Sequence, residues 1–112
     1  MKESVIVFSR NGVGHAPEDL QQGLAKKFLR LTLESGQLPG KILFYTDGVK
    51  LACSNSPVLD ELKELEEKGV ELVLCLTCLE YFDLRNHVEA GVVGGMGDIL
   101  TAIQSAQKVI SM

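Results

Sequence analysis

The sequence predicts an α/β fold, a three-layer α/β/α sandwich around a five-stranded, mostly parallel sheet. Short apolar runs rich in β-branched residues alternate with segments of helical periodicity along the whole chain. Such runs are typical of strands buried on both faces of a parallel sheet, and their alternation with helices predicts right-handed crossovers. No internal repeat or linker interrupts the pattern, so we expect one domain over residues 1–112.

Five segments are predicted to be strands. The four clearest are the apolar runs at residues 4–8, 41–45, 71–75 and 108–110. A valine pair at residues 92–93 predicts a very short strand between the last two of these. The predicted order of elements is therefore β-α-β-α-β-α-β-α-β.

The first helix is predicted from four apolar residues that form one stripe, the pattern of a helix that packs on a core. They are Leu20, Leu24, Phe28 and Leu31. Pro17 suits the first helical position, Glu18 and Asp19 favour the positive end of the helix, and Gly36 suits its end.

Three more helices are predicted. The second has an apolar stripe at Leu59, Leu62 and Leu65. Ser56 is its expected cap, Pro57 its opening residue and Gly69 its stop, while Glu64 and Lys68 have the spacing of an ion pair. A shorter helix is expected to start within residues 75–84. The last covers residues 98–107 and places Ile99, Ile103 and Ala106 on one face.

Composition excludes two classes of function. The 112 residues carry 11 Lys and Arg against 15 Asp and Glu, and the basic residues form no block. A nucleic-acid surface needs clustered cations to displace counterions, so none is expected. A membrane span is not expected either, because no apolar stretch approaches roughly 20 residues.

The three cysteines predict free thiols in a reducing compartment. The N-terminal apolar run is too short for a signal peptide, and an odd number of cysteines argues against a disulfide framework. We therefore expect a cytoplasmic protein.

The predicted topology gathers the candidate functional residues at one edge of the sheet. In open α/β sheets, ligands bind beyond the carboxyl ends of the strands. The segments that leave those ends are residues 9–16, 46–55, 75–78 and 94–97.

Cys75 and Cys78 are the candidate catalytic residues. Cys75 ends the third predicted strand, and Cys78 falls one turn later on the helix that follows. A thiol at a helix start faces free N–H groups and the positive dipole end, which favour the nucleophilic thiolate. The alternative is two small buried hydrophobic residues.

Two other interpretations of these cysteines are weaker. A reversible Cys75–Cys78 disulfide is geometrically possible, but redox motifs of this spacing usually follow an early strand. Structural zinc needs a second ligand pair, whereas Cys53, His15 and His87 occur singly. No metal and no cofactor are predicted.

Two loops supply the predicted rim of the site: Asn11, Gly12, Gly14, His15, Asp47 and Gly48. The glycines of the first loop suit either an anion-binding nest or a plain turn, and their spacing matches no phosphate-binding motif. His15 is either a base beside a thiolate or a surface histidine. Asp47 and Gly48 indicate a turn at the functional edge. Cys53 is interpreted as a semi-buried loop cysteine.

Three segments of the chain resemble the DsrE-like superfamily: residues 5–29, 41–84 and 98–110. The most specific parts are "FYTDGVKL", "LKELEEKGVE" and the C-x-T-C-L pattern before "YFDL". The resemblance is strongest to the C-terminal domain of the YedF group, which is associated with selenium metabolism, and more distant to TusD-like sulfur relay subunits.

This resemblance implies a five-stranded parallel fold that assembles as trimers or hexamers. In sulfur relay members, a cysteine just after the third strand carries sulfur as a persulfide, and Cys75 matches that position. Cys78 matches the second cysteine of the YedF-type pattern, as a partner or resolving thiol. Sulfur donor and acceptor proteins, including a TusA-like protein, are the implied partners.

The chain departs from the family pattern in three places. YedF proteins usually carry an N-terminal TusA-like domain with a Cys-Pro-x-Pro motif, which is not found here, so the chain is a stand-alone version or a fragment. Cys53 lies outside the pattern. Gly94 and Gly95 stand where more polar residues are expected.

The sequence thus predicts a sulfurtransferase-like carrier of sulfur or selenium, in which Cys75 takes sulfane sulfur from a donor persulfide and passes it to an acceptor protein. One alternative is a non-catalytic binding or assembly module with buried cysteines. Another is a Cys75–Cys78 thiol–disulfide switch.

Overall fold

Five parallel strands form the centre of the molecule. A computed structural model describes residues 3–112. Within that range the strands are β1 (Ser4–Phe8), β2 (Lys41–Phe44), β3 (Glu71–Cys75), β4 (Val92–Gly94) and β5 (Lys108–Ser111). Their order across the sheet is β4-β3-β2-β1-β5, and each pairing is parallel. The predicted fold class is confirmed, with a sheet that is entirely rather than mostly parallel.

The helices that connect these strands are α1 (Glu18–Ser35), α2 (Leu59–Glu67), α3 (Leu76–Tyr81) and α4 (Met96–Ser105). From β1 to β4 the chain steps across the sheet in one direction, so right-handed crossovers place α1, α2 and α3 on one face. The connection from β4 to β5 runs back across the sheet, which places α4 on the other face. No helix among residues 3–112 is long and apolar enough to cross a membrane.

The core lies on both faces of β1, β2 and β3, as expected for strands composed mostly of apolar residues. All of β1 is buried, with the last three residues of β2 and the last four of β3. At the carboxyl ends, Phe8 and Phe44 pair in register and stack with ring centroids 5.8 Å apart. Burial of such a side chain contributes about 1.5–3 kcal/mol, so the pair gives the loops above it a stable base.

The prediction for the buried face of α1 is wrong, because the predicted apolar stripe is largely exposed and a neighbouring row packs on the core. Leu20, Leu24 and Leu31 are 53%, 42% and 64% exposed, and Phe28 is only partly buried. The row that packs on the core consists of Ala25, Leu29 and Leu33. The two rows are offset by about 100°, the angle between consecutive residues of a helix. Both rows are apolar, and the small side chain of Ala25 suits a close contact with the sheet.

Two helix starts also differ from the prediction. Pro17 is the residue before α1 rather than its first residue, whereas Gly36 ends the helix in the left-handed conformation as predicted. Helix α2 begins at Leu59, two residues later than expected. The Ser56 hydroxyl accepts a hydrogen bond from Val58 N–H at 3.2 Å, which closes a turn before the helix.

A buried carboxylate joins α1 to α2. The Glu61 side chain is 5% exposed, and its Oε2 lies 3.3 Å from both Lys26 Nζ and Arg30 Nη2. Burial alone would raise the pKa of Glu61, but hydrogen bonds from its own backbone, Lys26 and Arg30 outweigh burial and lower the pKa. Glu64 pairs with Arg30 at 3.4 Å rather than with the predicted Lys68.

We expect Glu61→Gln to lower the free energy of unfolding by about 1–2 kcal/mol at pH 7, because it removes a charge-assisted contact whose cationic partners are half-exposed and can be hydrated. The pKa of Glu61 is lower in the folded than in the unfolded chain. Its contribution is therefore present above the unfolded pKa of about 4.3 and is lost as the pH falls through the folded pKa.

Urea unfolding of both proteins between pH 3 and pH 7 measures this difference. The gap between wild type and Glu61→Gln should close as the pH falls. Glu64→Gln is the matched control, because its carboxylate is 40% exposed and contacts the same arginine. It should change the free energy of unfolding by less than about 0.5 kcal/mol. A pH-independent gap for Glu61→Gln would contradict the account.

Candidate functional site

The two cysteines lie where β3 gives way to α3, at the carboxyl edge of the sheet. Cys75 is the last residue of β3 and the N-cap of α3, and it is 1% exposed. Cys78 is the third residue of α3 and is half-buried. All three cysteines are free thiols. Of the pair, Cys78 is therefore the one a second molecule can reach.

A backbone N–H group from the neighbouring loop points at Cys78. Thr46 N–H donates to Cys78 Sγ at 3.0 Å. Thr46 has a left-handed backbone with φ 49°, which is costly for a β-branched residue. Its hydroxyl lies within hydrogen-bond distance of the carbonyl oxygens of Ser9 and Tyr45, and donation of its one proton to them holds this conformation. The loops after β1 and β2 thus meet at Thr46, whose N–H reaches the sulfur of Cys78 after β3.

The electrostatics of Cys78 differ from the expectation of a ready thiolate. Burial raises the pKa of Cys78, and the Thr46 N–H opposes this by stabilising the anion. The Cys75 side chain adds to the rise through a hydrogen bond and through repulsion between the two sulfurs. At neutral pH Cys78 is therefore mostly the protonated thiol, with a donor in place for the thiolate when it forms.

Gly48 sets how closely the loop that carries Thr46 approaches the end of β1. It is buried in the 3₁₀ segment Thr46–Ala52, an element the sequence did not predict. A Cβ added at Gly48 would overlap the carbonyl oxygen of Phe8 and lie 2.6 Å from its carbon. The loop can therefore approach the end of β1 this closely only with glycine at this position.

A cavity of about 540 Å³ opens between the start of α1 and the segment after β2; Lys50, Cys53 and Phe82 line it, whereas Cys75 and Cys78 do not. On its wall Lys50 Nζ lies 4.3 Å above the ring of Phe82, one turn beyond Cys78, and 2.7 Å from Asp47 Oδ1. Asn11 donates to Glu18 Oε2 at 3.2 Å across its rim. The cavity presents one aromatic face and both signs of charge next to the reactive edge.

The other predicted rim residues lie away from the thiols or serve the loop itself. Gly12 has φ 148° and leaves no space for a side chain against the backbone of Gln21, while the Gly14 carbonyl accepts from the Gln21 amide at 2.6 Å. Both glycines therefore shape the turn. His15 is exposed and does not line the cavity.

Cys53 is buried in the wall of the cavity, and its thiol donates to the Val49 carbonyl at 3.2 Å. Burial raises the pKa of Cys53, and the charge of Glu89 adds to the rise. This environment suits a structural cysteine.

The glycine pair before α4 has a capping role. Helix α4 begins at Met96, two residues before the predicted start, because the Asp98 carboxylate accepts a hydrogen bond from Gly95 N–H at 2.9 Å. A Cβ at Gly94 would lie 2.8 Å from a methyl group of Val73. These residues join β4 to α4 at close quarters and bring no further polar side chain to the thiols.

No group of three or more potential metal ligands occurs among residues 3–112. A larger cavity, about 760 Å³, lies at the opposite edge, between the loop at Gly36–Lys41 and the end of α4. It contains none of the cysteines, and it faces the amino ends of the strands, where α/β sheets do not usually bind ligands. The carboxyl edge remains the candidate site.

The sequence did not indicate two contacts of the site: the hydrogen bond from Thr46 and the contact between Lys50 and Phe82. The donor from Thr46 is a backbone group, which every residue type except proline possesses. Its direction depends on the left-handed backbone of Thr46. Glycine or asparagine would have indicated such a conformation in the sequence, but threonine does not. The contact between Lys50 and Phe82 joins two segments 32 residues apart, so no local pattern could reveal it.

Comparison with known proteins relates the chain to one family and to several solved structures. A model of the DsrE/DsrF-like family matches residues 5–112. No curated protein matches the sequence.

Three solved structures share the fold at low sequence identity. The protein of unknown function MTH1491 from Methanobacterium thermoautotrophicum is 17% identical, with a TM-score of 0.72 and 97% of each chain covered. The ychN protein from E. coli is 15% identical, with a TM-score of 0.68 over 97% of this chain and 98% of that one. The conserved protein of unknown function BT1422 from Bacteroides thetaiotaomicron is 18% identical, with a TM-score of 0.69 over 98% and 95%.

Proposed function

We propose that this chain, which belongs to the DsrE/DsrF-like family, carries sulfane sulfur as a persulfide on its Cys75–Cys78 pair. The family match confirms the DsrE-like resemblance, while the particular likeness to the YedF group remains a prediction. The observation that carries the proposal is the hydrogen bond from Thr46 N–H to the half-buried Cys78 sulfur. It provides a fixed donor for the negative charge that sulfur transfer places on that atom.

The chemistry needs two displacement steps. The Cys78 thiolate attacks the terminal sulfur of a donor persulfide, R–S–SH, so that a new S–S bond forms, the donor S–S bond breaks and R–S⁻ leaves. The product is Cys78–S–SH. An acceptor thiolate then attacks the terminal sulfur and regenerates the Cys78 thiolate. Selenium would follow the same route through a Cys78–S–SeH group.

Accessibility decides which cysteine receives the sulfur. The family resemblance assigns that role to Cys75, but this residue is 1% exposed, whereas Cys78 is half-buried. In-line attack on a persulfide held by another protein requires the attacking sulfur to be accessible at the surface of this chain. We therefore place the entry of sulfur at Cys78 and retain Cys75 as the second catalytic thiol.

The raised pKa of Cys78 fits a carrier that is inert until a donor binds. A thiol of high pKa is mostly protonated at neutral pH, so it resists indiscriminate alkylation and oxidation. Its thiolate, once formed, is a strong nucleophile and a poor leaving group. The first property favours loading, and the second opposes the reverse step, in which the donor thiolate would take the sulfur back. We place the docked donor over the cavity at Lys50 and Phe82, since Phe82 N–H donates to the carbonyl of Cys78, one helical turn away.

We expect Cys78 to react first with iodoacetamide in the folded protein, with Cys53 and Cys75 reacting only on unfolding. Because the pKa of Cys78 is raised, the rate should increase about tenfold per pH unit to beyond pH 8.5, the ordinary cysteine value. Mass spectrometry of alkylated peptides between pH 6 and pH 10 gives the rate at each cysteine.

The same experiment separates the carrier from a non-catalytic binding or assembly module. In the module, every cysteine is structural and none reacts before the chain unfolds. Faster alkylation of Cys75 than of Cys78, or a rate that levels off below pH 8, would contradict the roles assigned here.

We further propose that the chain assembles with copies of itself, in a trimer or hexamer, through the apolar surface at the β4 edge. We define this surface by four exposed apolar residues on β4 and in the first half of α4: Val92, Val93, Met96 and Leu100. Strand β4 is an outer strand of the sheet, so its free side is available to another chain. Such a surface is typical of protein–protein contact.

We expect the double change Met96→Glu and Leu100→Glu to reduce the mass measured by analytical ultracentrifugation to that of a single chain. Charges buried in an apolar contact cost several kcal/mol when they have no partner. Leu31→Glu is the matched control, because Leu31 is 64% exposed on α1, away from this surface. Its mass should equal that of the wild type. A wild-type mass for the double variant would refute this contact.

The cellular partners are part of the same proposal. A donor persulfide protein and an acceptor protein, such as a TusA-like protein, would dock at the carboxyl edge. Free thiols that carry sulfane sulfur require a reducing compartment, so we place the protein in the cytoplasm.

A further inference from the structure

The geometry of the two thiols has a consequence beyond transfer to an acceptor. Cys75 is the N-cap of α3 and Cys78 its third residue, a spacing that brings the two side chains onto the same side of one helical turn. Helix geometry sets their Cα atoms about 5 Å apart, within the range of about 4.4–6.8 Å that a disulfide requires. A persulfide on Cys78 is thus formed next to a second thiol.

We propose, on the basis of the carrier function above, that Cys75 discharges the Cys78 persulfide internally and releases its sulfur as hydrosulfide. The Cys75 thiolate attacks Sγ of Cys78–S–SH, forming the Cys75–Cys78 disulfide and breaking the bond to the terminal sulfur, which leaves as HS⁻. The proton of the Cys75 thiol passes to solvent. The sulfane sulfur gains two electrons, and the two cysteine sulfurs together lose two.

Burial directs which sulfur atom Cys75 attacks. Cys75 is 1% exposed, so it is shielded from external donors, and its side chain interacts directly with that of Cys78, which favours attack on Sγ. The leaving group favours the same outcome. Hydrogen sulfide is a stronger acid than an alkyl thiol, and the better-leaving anion departs faster, whereas burial makes the Cys78 thiolate a poor leaving group.

The released product defines a second activity, the conversion of sulfane sulfur to sulfide at the expense of a dithiol. One dithiol reductant restores the Cys75–Cys78 pair in each cycle by thiol–disulfide exchange. The fate of the sulfur then depends on competition. A docked acceptor thiol takes the terminal sulfur, and in its absence Cys75 releases it.

The test uses the full chain loaded with glutathione persulfide, desalted, and kept without reductant or acceptor. Intact mass spectrometry and a sulfide assay follow the sample with time. In the wild type, the species heavier by about one sulfur atom (32 Da) should convert to one about 2 Da lighter than the reduced protein. One equivalent of sulfide should appear at the same rate.

The variants separate this inference from the carrier function. In Cys75→Ser and Cys75→Ala, the sulfur that Cys78 accepts should be retained at least tenfold longer, with no release of sulfide. Thr77→Ala, at an exposed position between the two cysteines, is the matched control and should behave as the wild type. Equal lifetimes in the wild type and both Cys75 variants would overturn the discharge step and leave the carrier function standing. Failure of the wild type to load would overturn both.

Discussion

Cys78→Ser should abolish the loading of sulfane sulfur from a persulfide donor, with a loss of at least a hundredfold in rate. A serine hydroxyl is far less acidic than a thiol and forms no stable bond to sulfur, so the displacement has no nucleophile. The backbone hydrogen bond from Thr46 can be made to a serine oxygen, so the loop should keep its conformation. The loss would therefore report on chemistry rather than folding.

The matched variant is Cys75→Ser. This residue is the other half of the pair, and we expect its variant to load at a rate within a few-fold of the wild type. Loading is measured as a mass increase of about 32 Da after incubation with glutathione persulfide. If Cys78→Ser loads normally and Cys75→Ser does not, Cys75 is the entry thiol, as the family resemblance implied, and the order proposed here is wrong.

Gly48→Ala should produce the largest loss of stability of any change considered, about 3 kcal/mol or more in the free energy of unfolding. The added methyl group overlaps the backbone carbonyl of Phe8, which cannot move without disturbing the buried end of β1. Overpacking of this kind typically costs about 1–3 kcal/mol, and more when the obstacle is rigid. Urea unfolding at pH 7 measures it.

This substitution should also act on the site. Displacement of the loop moves Thr46 N–H away from the sulfur of Cys78, so the rate of alkylation at Cys78 should change as well. Gly23→Ala is the control, and it should increase rather than decrease the free energy of unfolding. Gly23 lies exposed within α1 with no atom within 4 Å of an added Cβ, so alanine should stabilise the chain by about 0.5–1 kcal/mol. Equal effects of the two changes would contradict the packing argument.

The sequence was sufficient for the strands because a parallel sheet buries both faces of its central strands. The runs at residues 4–8 and 71–75 were predicted to the residue, since four of the five residues in each are apolar. Helix α1 shows the limit of this approach. Two apolar rows lie side by side on it, and only the sheet decides which row is covered, so the exposed row was mistaken for the buried one.

The candidate site was predictable in place but not in detail. The position of Cys75 and Cys78 at the carboxyl edge of the sheet was predictable because they follow a strand whose carboxyl end the topology defines. Their relative exposure was not, since it depends on how deeply the first turn of α3 is enclosed by the loop after β2. The pKa of Cys78 could not be predicted for the same reason. A helix start favours the thiolate, but burial has the larger effect here.

The central claim is that the Cys75–Cys78 pair carries sulfur and that the sulfur enters at Cys78. Its most direct test is mass spectrometry of the Cys75→Ala variant, isolated from cells with thiols alkylated at lysis. We predict a peptide in which Cys78 bears one additional sulfur atom, with Cys53 unmodified. Absence of sulfur from Cys78 when a persulfide donor is abundant, or its presence on Cys53 instead, would contradict the account.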